Sequence, residues 1–396
     1  MDWKPSTLDD QGHLIVPKRW LHPHYYEALN ILFRFENSLR VFVFSILKNE
    51  FQEQWSRCSF AIGDGEQTSI AQIANKRISH ADNFGYLGFD ILAPLMHLTS
   101  GELVELIVNE SYWPKFRSHF RGNKEIIKNK LLEIGSIRNS LAHFRPIKAE
   151  DIELIKQNSR HTLLGVEECL KSVFNQTIRV PTNTDDDWYR SVSTLGTENI
   201  NTIPYYSKNE EWVCIVLKFA VPTLEKRSYG GDFFSYSMVK LNTPKILNER
   251  PNLSKNLTYI SEYTNYPTLS DDFEMEIEKD IRLVFRKDIL IDNHEIISAE
   301  IRDTLALVAE ECELLQKDNL ARGKIVETAR TTAIWQATDG KEGRWHFQYG
   351  NLEQAYLSEH PDEYWGQLAG NTDVVAGSHR YPWMPEDIST PESWMD

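Results

Sequence analysis

One long helical pattern restricts this chain more than any other feature. Between Tyr25 and Phe51, the residues Leu29, Leu32, Phe33, Leu39, Phe42, Val43, Ile46 and Leu47 recur at helical spacing. They define a rod of about 40 Å with one apolar face. A rod of that kind needs other helices or a sheet against the face. Pro23 suits its start, where a missing N–H costs nothing. Glu36 and Arg40 lie four residues apart and can pair on its polar side, where both are candidates to face a groove.

More helical text follows. Residues Ser69 to Ala81 read as a shorter amphipathic helix after a Gly63-Asp64-Gly65 turn. Thr99 or Ser100 can cap a helix running to about Val108, with Glu102 near its positive end. Trp113, Phe116 and Phe120 form an aromatic stripe whose spacing fits core packing. Asn123 opens a helix with an apolar face of Ile126, Ile127, Leu131, Ile134, Ile137 and Leu141, and Asp151 begins another that reaches about Phe174. With an N-terminal arm over 1–22, residues 1–178 read as an all-α bundle of four or five helices.

The period then changes. Apolar content falls across 179–209, where Pro181 and Asp185-Asp186-Asp187 suggest a linker. Glu211 to Val221, Asp232 to Leu241 and Ile281 to Phe285 read as strands. Tyr229-Gly230-Gly231-Asp232 is a turn; it lacks the Lys-Ser/Thr that a phosphate loop requires. Ile296 to Gln316 and Leu320 to Gln336 read as helices, and the last sixty residues as an irregular, Trp-rich acidic tail. The expected class is therefore α+β: a helical domain over 1–178, a linker over 179–209, and a mixed α+β domain over 210–396.

Composition narrows the setting. Among 396 residues, 41% hydrophobic content and eleven Trp supply material for more than one core. No run of about eighteen apolar residues offers a membrane span, and no signal peptide is visible. Cys58, Cys169, Cys214 and Cys312 lie far apart without a CxxC pair, which suits buried thiols in a reducing cytoplasm. Net charge is −15, yet residues 111–148 hold nine basic residues against two acidic ones. Arg121, Lys130, Arg145 and Lys148 are the candidates there for holding a phosphate backbone. After Gly350 the balance reverses, so the acidic tail is a candidate cover for that basic face.

Chemistry concentrates in Arg138-Asn139-Ser140-Leu141-Ala142-His143. RNA carries its own nucleophile in the 2′-OH beside the scissile phosphate. Cleavage without metal needs a base, an acid for the leaving 5′-oxygen, and a fixed cation for the transition state. Histidine can be the base or acid and arginine the cation; asparagine can position either. Asn139 and His143 share a helix face, whereas Arg138 and His143 diverge by roughly 140° at about 100° per residue. The long Arg side chain or a break before Pro146 must close that gap. Two chains meeting along this helix would supply both an acid and a base. The plain alternative is a helix C-terminus where His143 and Arg145 complement the dipole.

This stretch and its flanking helices resemble the HEPN superfamily, whose signature is Arg-x4-6-His, often with Asn after the Arg. Phe35-Glu36-Asn37-Ser38-Leu39-Arg40 is similar to its abortive-infection branch. The resemblance covers roughly residues 20–178. It implies Arg138 and His143 as catalytic, with Asn139 supporting, in a site shared by a homodimer that needs neither metal nor cofactor. It also implies an endoribonuclease acting on RNA, tRNA among its targets, in prokaryotic antiphage defence or a toxin-antitoxin-like system. Residues 210–396 would then meet a trigger or inhibitor partner. Toxins of this family often carry Tyr two residues after the His; Arg145 stands there, so regulation by modifying that Tyr is not expected. A non-catalytic HEPN-like module that binds nucleotide or RNA is the alternative.

Overall fold

The computed structural model describes residues 24–63, 65–82, 93–317, 322–338, 341–352, 354 and 360–367, and short pieces at 7–8, 10–11 and 14–15. The N-terminal arm is thus largely outside the described residues, although Thr7–Leu8 (β1) pairs with Leu14–Ile15 (β2). Helix α1 spans Tyr25–Phe51, as its periodicity predicts. The next segment departs from an all-helical reading. Ser59–Ile62 (β3) and Glu66–Ser69 (β4) form an antiparallel hairpin, closed through Gly63 and Gly65 at φ 53° and 91°. Asp64 lies outside the described residues.

The remaining helices of this half are α2 (Ile70–Asp82), α3 (Ser100–Val108), the short α4 (Trp113–Phe116), α5 (Lys124–Ala142) and α6 (Ala149–Phe174). Thr99 and Glu102 cap α3 reciprocally: each side chain meets the other's backbone N–H. Phe116 and Phe120 are buried and meet Phe42 of α1, so the aromatic stripe is core. α6 comes close to the turn at 117–119. A Cβ on Gly165 would lie 2.2 Å from the His119 carbonyl oxygen, so only glycine fits.

The second half holds more regular structure than its sequence suggests. The stretch 179–209, expected as a linker, contains α7 (Asp187–Ser193) and strand β5 (Ile200–Tyr206). Trp188 and Val192 anchor α7 in the core, which gives this polar segment enough buried surface to order. There follow β6 (Trp212–Ala220), β7 (Thr223–Ser228), β8 (Phe233–Leu241), α8 (Thr243–Glu249), α9 (Pro251–Asn256) and β9 (Tyr259–Thr264). Next come the short pair β10 (Thr268–Leu269) and β11 (Met275–Glu276), then β12 (Glu278–Arg286) and α10 (Lys287–Gln316), which is kinked at Asn293. The helix expected over Leu320–Gln336 is instead strand β13 (Val326–Thr338); residues 318–321 lie outside the described part. Val326, Thr328, Thr331, Thr332, Ile334 and Trp335 are β-branched or aromatic and fit a pleated surface better than a helix. The tail is not wholly irregular either, since it contributes β14 (Lys341–Gln348) and β15 (Tyr364–Gln367). Residues 368–396, most of the expected acidic tail, lie outside the described part.

Two sheets organise this half. One runs β15-β9-β12-β6-β5 and the other β14-β13-β8-β7. The first is sandwiched. Trp212, Cys214, Val216, Tyr259, Val284 and Trp365 join the core of the helical half. Val213, Ile215, Leu217, Ile281, Leu283 and Phe285 join the core built with α10 and the second sheet. The architecture is thus mixed α+β, with the five-stranded sheet as its middle layer. Leu352, Tyr364 and Trp365 are buried between these elements and Glu363 pairs with the buried Lys48, so part of the segment after Gly350 is core and not a removable cover. All four cysteines are buried and free; burial pushes the Cys58 thiol up to about 11 and those of Cys169 and Cys312 to about 12. Among the described residues no helix is long and apolar enough to cross a membrane.

Two predictions follow from the contacts between layers. Helix propensity alone favours Gly165→Ala by about 1 kcal/mol. The contact with His119 reverses that sign, so the variant is expected to unfold at lower urea than the parent. The second concerns acid. Burial pushes the Glu50 carboxyl up, but hydrogen bonds from Lys115 and Arg286 outweigh it and hold it below the usual range. Lys287, helped by Thr182, holds Glu210 down at about 2. Carboxylates depressed in the folded state stabilise it above their unfolded pKa and lose that contribution on protonation. Stability is therefore expected to fall as pH drops from about 4.5 towards 2, and less so in Glu50→Gln, as read by denaturation midpoints across that range.

Candidate functional site

Helix α5 starts where the Asn123 side chain accepts from the Ile126 N–H at 2.9 Å, and it buries Ile127, Leu131, Ile134, Ile137 and Leu141. These contacts fix its rotation, and rotation decides where the motif points. Arg138 leaves the side of α5 that faces α1, with its Nε 3.7 Å from Oε2 of Glu36. The other Glu36 oxygen accepts from Nη2 of Arg40. Arg40 also donates to the Leu95 carbonyl at 3.1 Å, the Leu98 carbonyl at 3.0 Å and Asn37 Oδ1 at 2.7 Å. Burial lowers the Arg40 pKa, with Glu36 opposing; a guanidinium starts high enough to stay charged.

The result is a chain of support. Backbone carbonyls and Asn37 hold Arg40, Arg40 holds Glu36, and Glu36 faces Arg138. Side-chain exposure rises along it, from 10% for Arg40 and 13% for Glu36 to 37% for Arg138. Only Arg138 among the three is open enough to meet a ligand. A narrow cleft beside it is lined by Leu32, Phe35, Leu103, Leu131 and Gly135. The sequence placed Glu36 and Arg40 near a groove; the structure puts Glu36 against Arg138 and makes Arg40 an anchor. The loop carbonyls that complete the anchor could not be found from spacing.

His143 sits elsewhere. It is the C-cap of α5, exposed like Asn139, and its N–H donates to the Asn139 carbonyl at 3.1 Å. The helix runs regularly to Ala142, so no break before Pro146 turns His143 towards Arg138. Within one chain the structure keeps Asn139 and His143 together and leaves Arg138 on a neighbouring face. Closure comes at Phe144, which adopts φ 55°. Its N–H reaches the Leu141 carbonyl at 3.0 Å, and that of Arg145 reaches the Ser140 carbonyl at 2.9 Å. This is the Schellman arrangement, where glycine is usual. A side chain in the left-handed region costs about 1–2 kcal/mol, and sequence reasoning passed over Phe144.

The proposed phosphate contacts divide. Arg145 and Lys148 are exposed in the loop after α5, where the Lys148 N–H donates to Asp151 at 2.9 Å and starts α6. Lys130 donates to Asn158 at 3.2 Å, and Asn158 donates to Glu133. Arg121 lies just before α5, at the opposite end from His143 by about 30 Å, and stands 4.0 Å from Glu168. Much of the basic stretch is neutralised once folded. Lys115 meets Glu50, Lys124 meets Glu110, and Lys128 lies 3.2 Å from Glu105. The local excess of positive charge is therefore a property of the sequence window more than of the surface. It survives at Arg117, Lys130, Arg145 and Lys148, whose side chains have no ion pair with a carboxylate among the described residues.

Comparison with protein-family models, with curated proteins and with solved structures finds no match to this chain.

The Glu36 link is open to test through stability. Breaking a buried pair costs about 3–5 kcal/mol; both side chains here keep some exposure, so Glu36→Gln is expected to cost about 2 kcal/mol in urea unfolding. A loss below about 0.5 kcal/mol would put the pair in the class of surface salt bridges.

Proposed function

We propose that this chain is a metal-independent endoribonuclease of HEPN type, working as a cytoplasmic homodimer. The observation that carries this reading is the half-exposed Arg138, backed by Glu36 and the anchored Arg40, directly before the exposed Asn139 and five residues before the exposed His143. The helical half is read as the HEPN-like bundle, with the β3–β4 hairpin as an addition to it. Arg138 and His143 face different ways in one chain, so the active groove is read as forming where two copies of α5 meet.

In that groove one His143 would take the proton of the 2′-OH as its oxygen attacks phosphorus, and the partner's His143 would protonate the 5′-oxygen as its bond to phosphorus breaks. Two cations from Arg138 would stabilise the intervening charge, and Asn139 would position phosphate or imidazole. The products would be a 2′,3′-cyclic phosphate and a 5′-OH. The substrate class is RNA, with tRNA the first candidate, and the setting is prokaryotic antiphage or abortive-infection defence, or a toxin-like system. Residues 210–396 would meet a trigger or inhibitor.

A second reading has its own support. The divergence of Arg138 from His143, and the carboxylates beside five of the nearby cations, suit a HEPN-like module that binds nucleotide or RNA, or assembles, without cutting. One assay separates the two. Purified protein incubated with total tRNA in EDTA is expected to yield 2′,3′-cyclic ends, and Arg138→Ala and His143→Ala are expected to lose at least about 100-fold in rate. Cleavage that survives His143→Ala would reject the site. RNA binding without any cleavage would favour the second reading.

A further inference from the structure

The end of α5 carries backbone strain. Phe144 occupies the left-handed position at φ 55°, where glycine would serve the backbone better, and its ring is 74% exposed. Burial therefore does little to offset the strain. An observed outlier of this kind is a reason to look for a role. The ring lies parallel to that of Tyr25, with 4° between planes and 6.4 Å between centroids. It follows His143 directly and precedes Arg145, and Lys148 begins the next helix.

We propose that Phe144, with Tyr25 beside it, is a stacking platform for an unpaired nucleobase, and that Arg145 and Lys148 hold the adjoining phosphates. An exposed aromatic face accepts any base of a single strand and nothing from the interior of a duplex. The substrate class is therefore single-stranded RNA or a loop. The proposal deepens the ribonuclease reading and rests on it for the neighbouring role of His143, although the binding it describes can be measured without cleavage. An exposed aromatic could also be a contact between two subunits. The flanking cations Arg145 and Lys148 favour the nucleic-acid strand, because a phosphate chain complements them.

The test takes the full chain carrying His143→Ala as the parent, so that nothing is cut. Fluorescence anisotropy in EDTA would compare a labelled single-stranded RNA 12-mer with the same sequence in duplex. Phe144→Gly relieves the backbone, so its melting temperature is expected to equal or exceed the parent's, while single-strand affinity falls about ten-fold. Phe144→Trp is expected to keep that affinity, and the duplex is expected to respond little to either change. Single-strand affinity within two-fold of the parent in Phe144→Gly would overturn the platform, as would an equal loss for the duplex. A fall in mass from dimer to monomer by light scattering would overturn it in favour of a subunit contact. Phe144-dependent binding by a chain whose wild type cuts no RNA would uphold the platform and reject the ribonuclease reading. Failure of the parent to bind either RNA would reject both.

Discussion

Strand β6 is buried on both faces, and that condition obliges the rest of the chain to build two cores. Trp212, Cys214 and Val216 point into the helical half, while Val213, Ile215, Leu217 and Phe219 point the other way. Neighbouring side chains on a strand must lie on opposite faces. The helices of the first half and the sheet and helix of the second are therefore tied through one strand. Trp365 strengthens the tie from the end of the described chain: its ring stacks on Tyr259 at 4.1 Å between centroids and touches Phe44 and Phe174.

Helix α1 crosses the same junction with polar groups. Lys48, 1% exposed, meets Glu363 and donates to the Ser254 carbonyl. Asn49 accepts from Thr258, and Glu50 from Arg286. A lysine so deeply buried is tolerable only while its carboxylate stays in place. Eight residues earlier the same helix carries Arg40, and a turn before that Glu36. One rigid element thus joins the contact between layers to the residue facing Arg138.

Helices were largely legible in the sequence because their signals are local. The apolar face of α1, the Thr99–Glu102 cap of α3 and the Asn123 cap of α5 each lie within a few residues of text. Strands β6 and β8 were legible for a similar reason, as apolar or alternating runs. Segment 179–209 misled because its polar composition hides Trp188, which is buried only once the second core exists. The stretch 326–338 misled because Glu327, Ala329, Arg330, Ala333 and Gln336, which favour a helix, alternate with β-branched residues until neighbours on both sides decide; β8 and β14 choose the strand.

The site divides along the same line. From sequence alone came the cation, amide and imidazole at one helix end, their angular separation, and the i,i+4 pair Glu36 and Arg40, because a helix has a fixed pitch and these relations follow from it. Tertiary structure alone decided that Glu36 would face Arg138, that Arg40 would be held by the carbonyls of Leu95 and Leu98, and that distant carboxylates would neutralise much of the basic stretch. Those contacts join residues far apart in the chain, and only the packing of α1 against α4, α5 and the turn before α3 brings them within reach. The conformation of Phe144 belongs between the two. Pro146 announces that the helix must stop, but only the folded backbone shows that a phenyl ring stands where glycine would be easier.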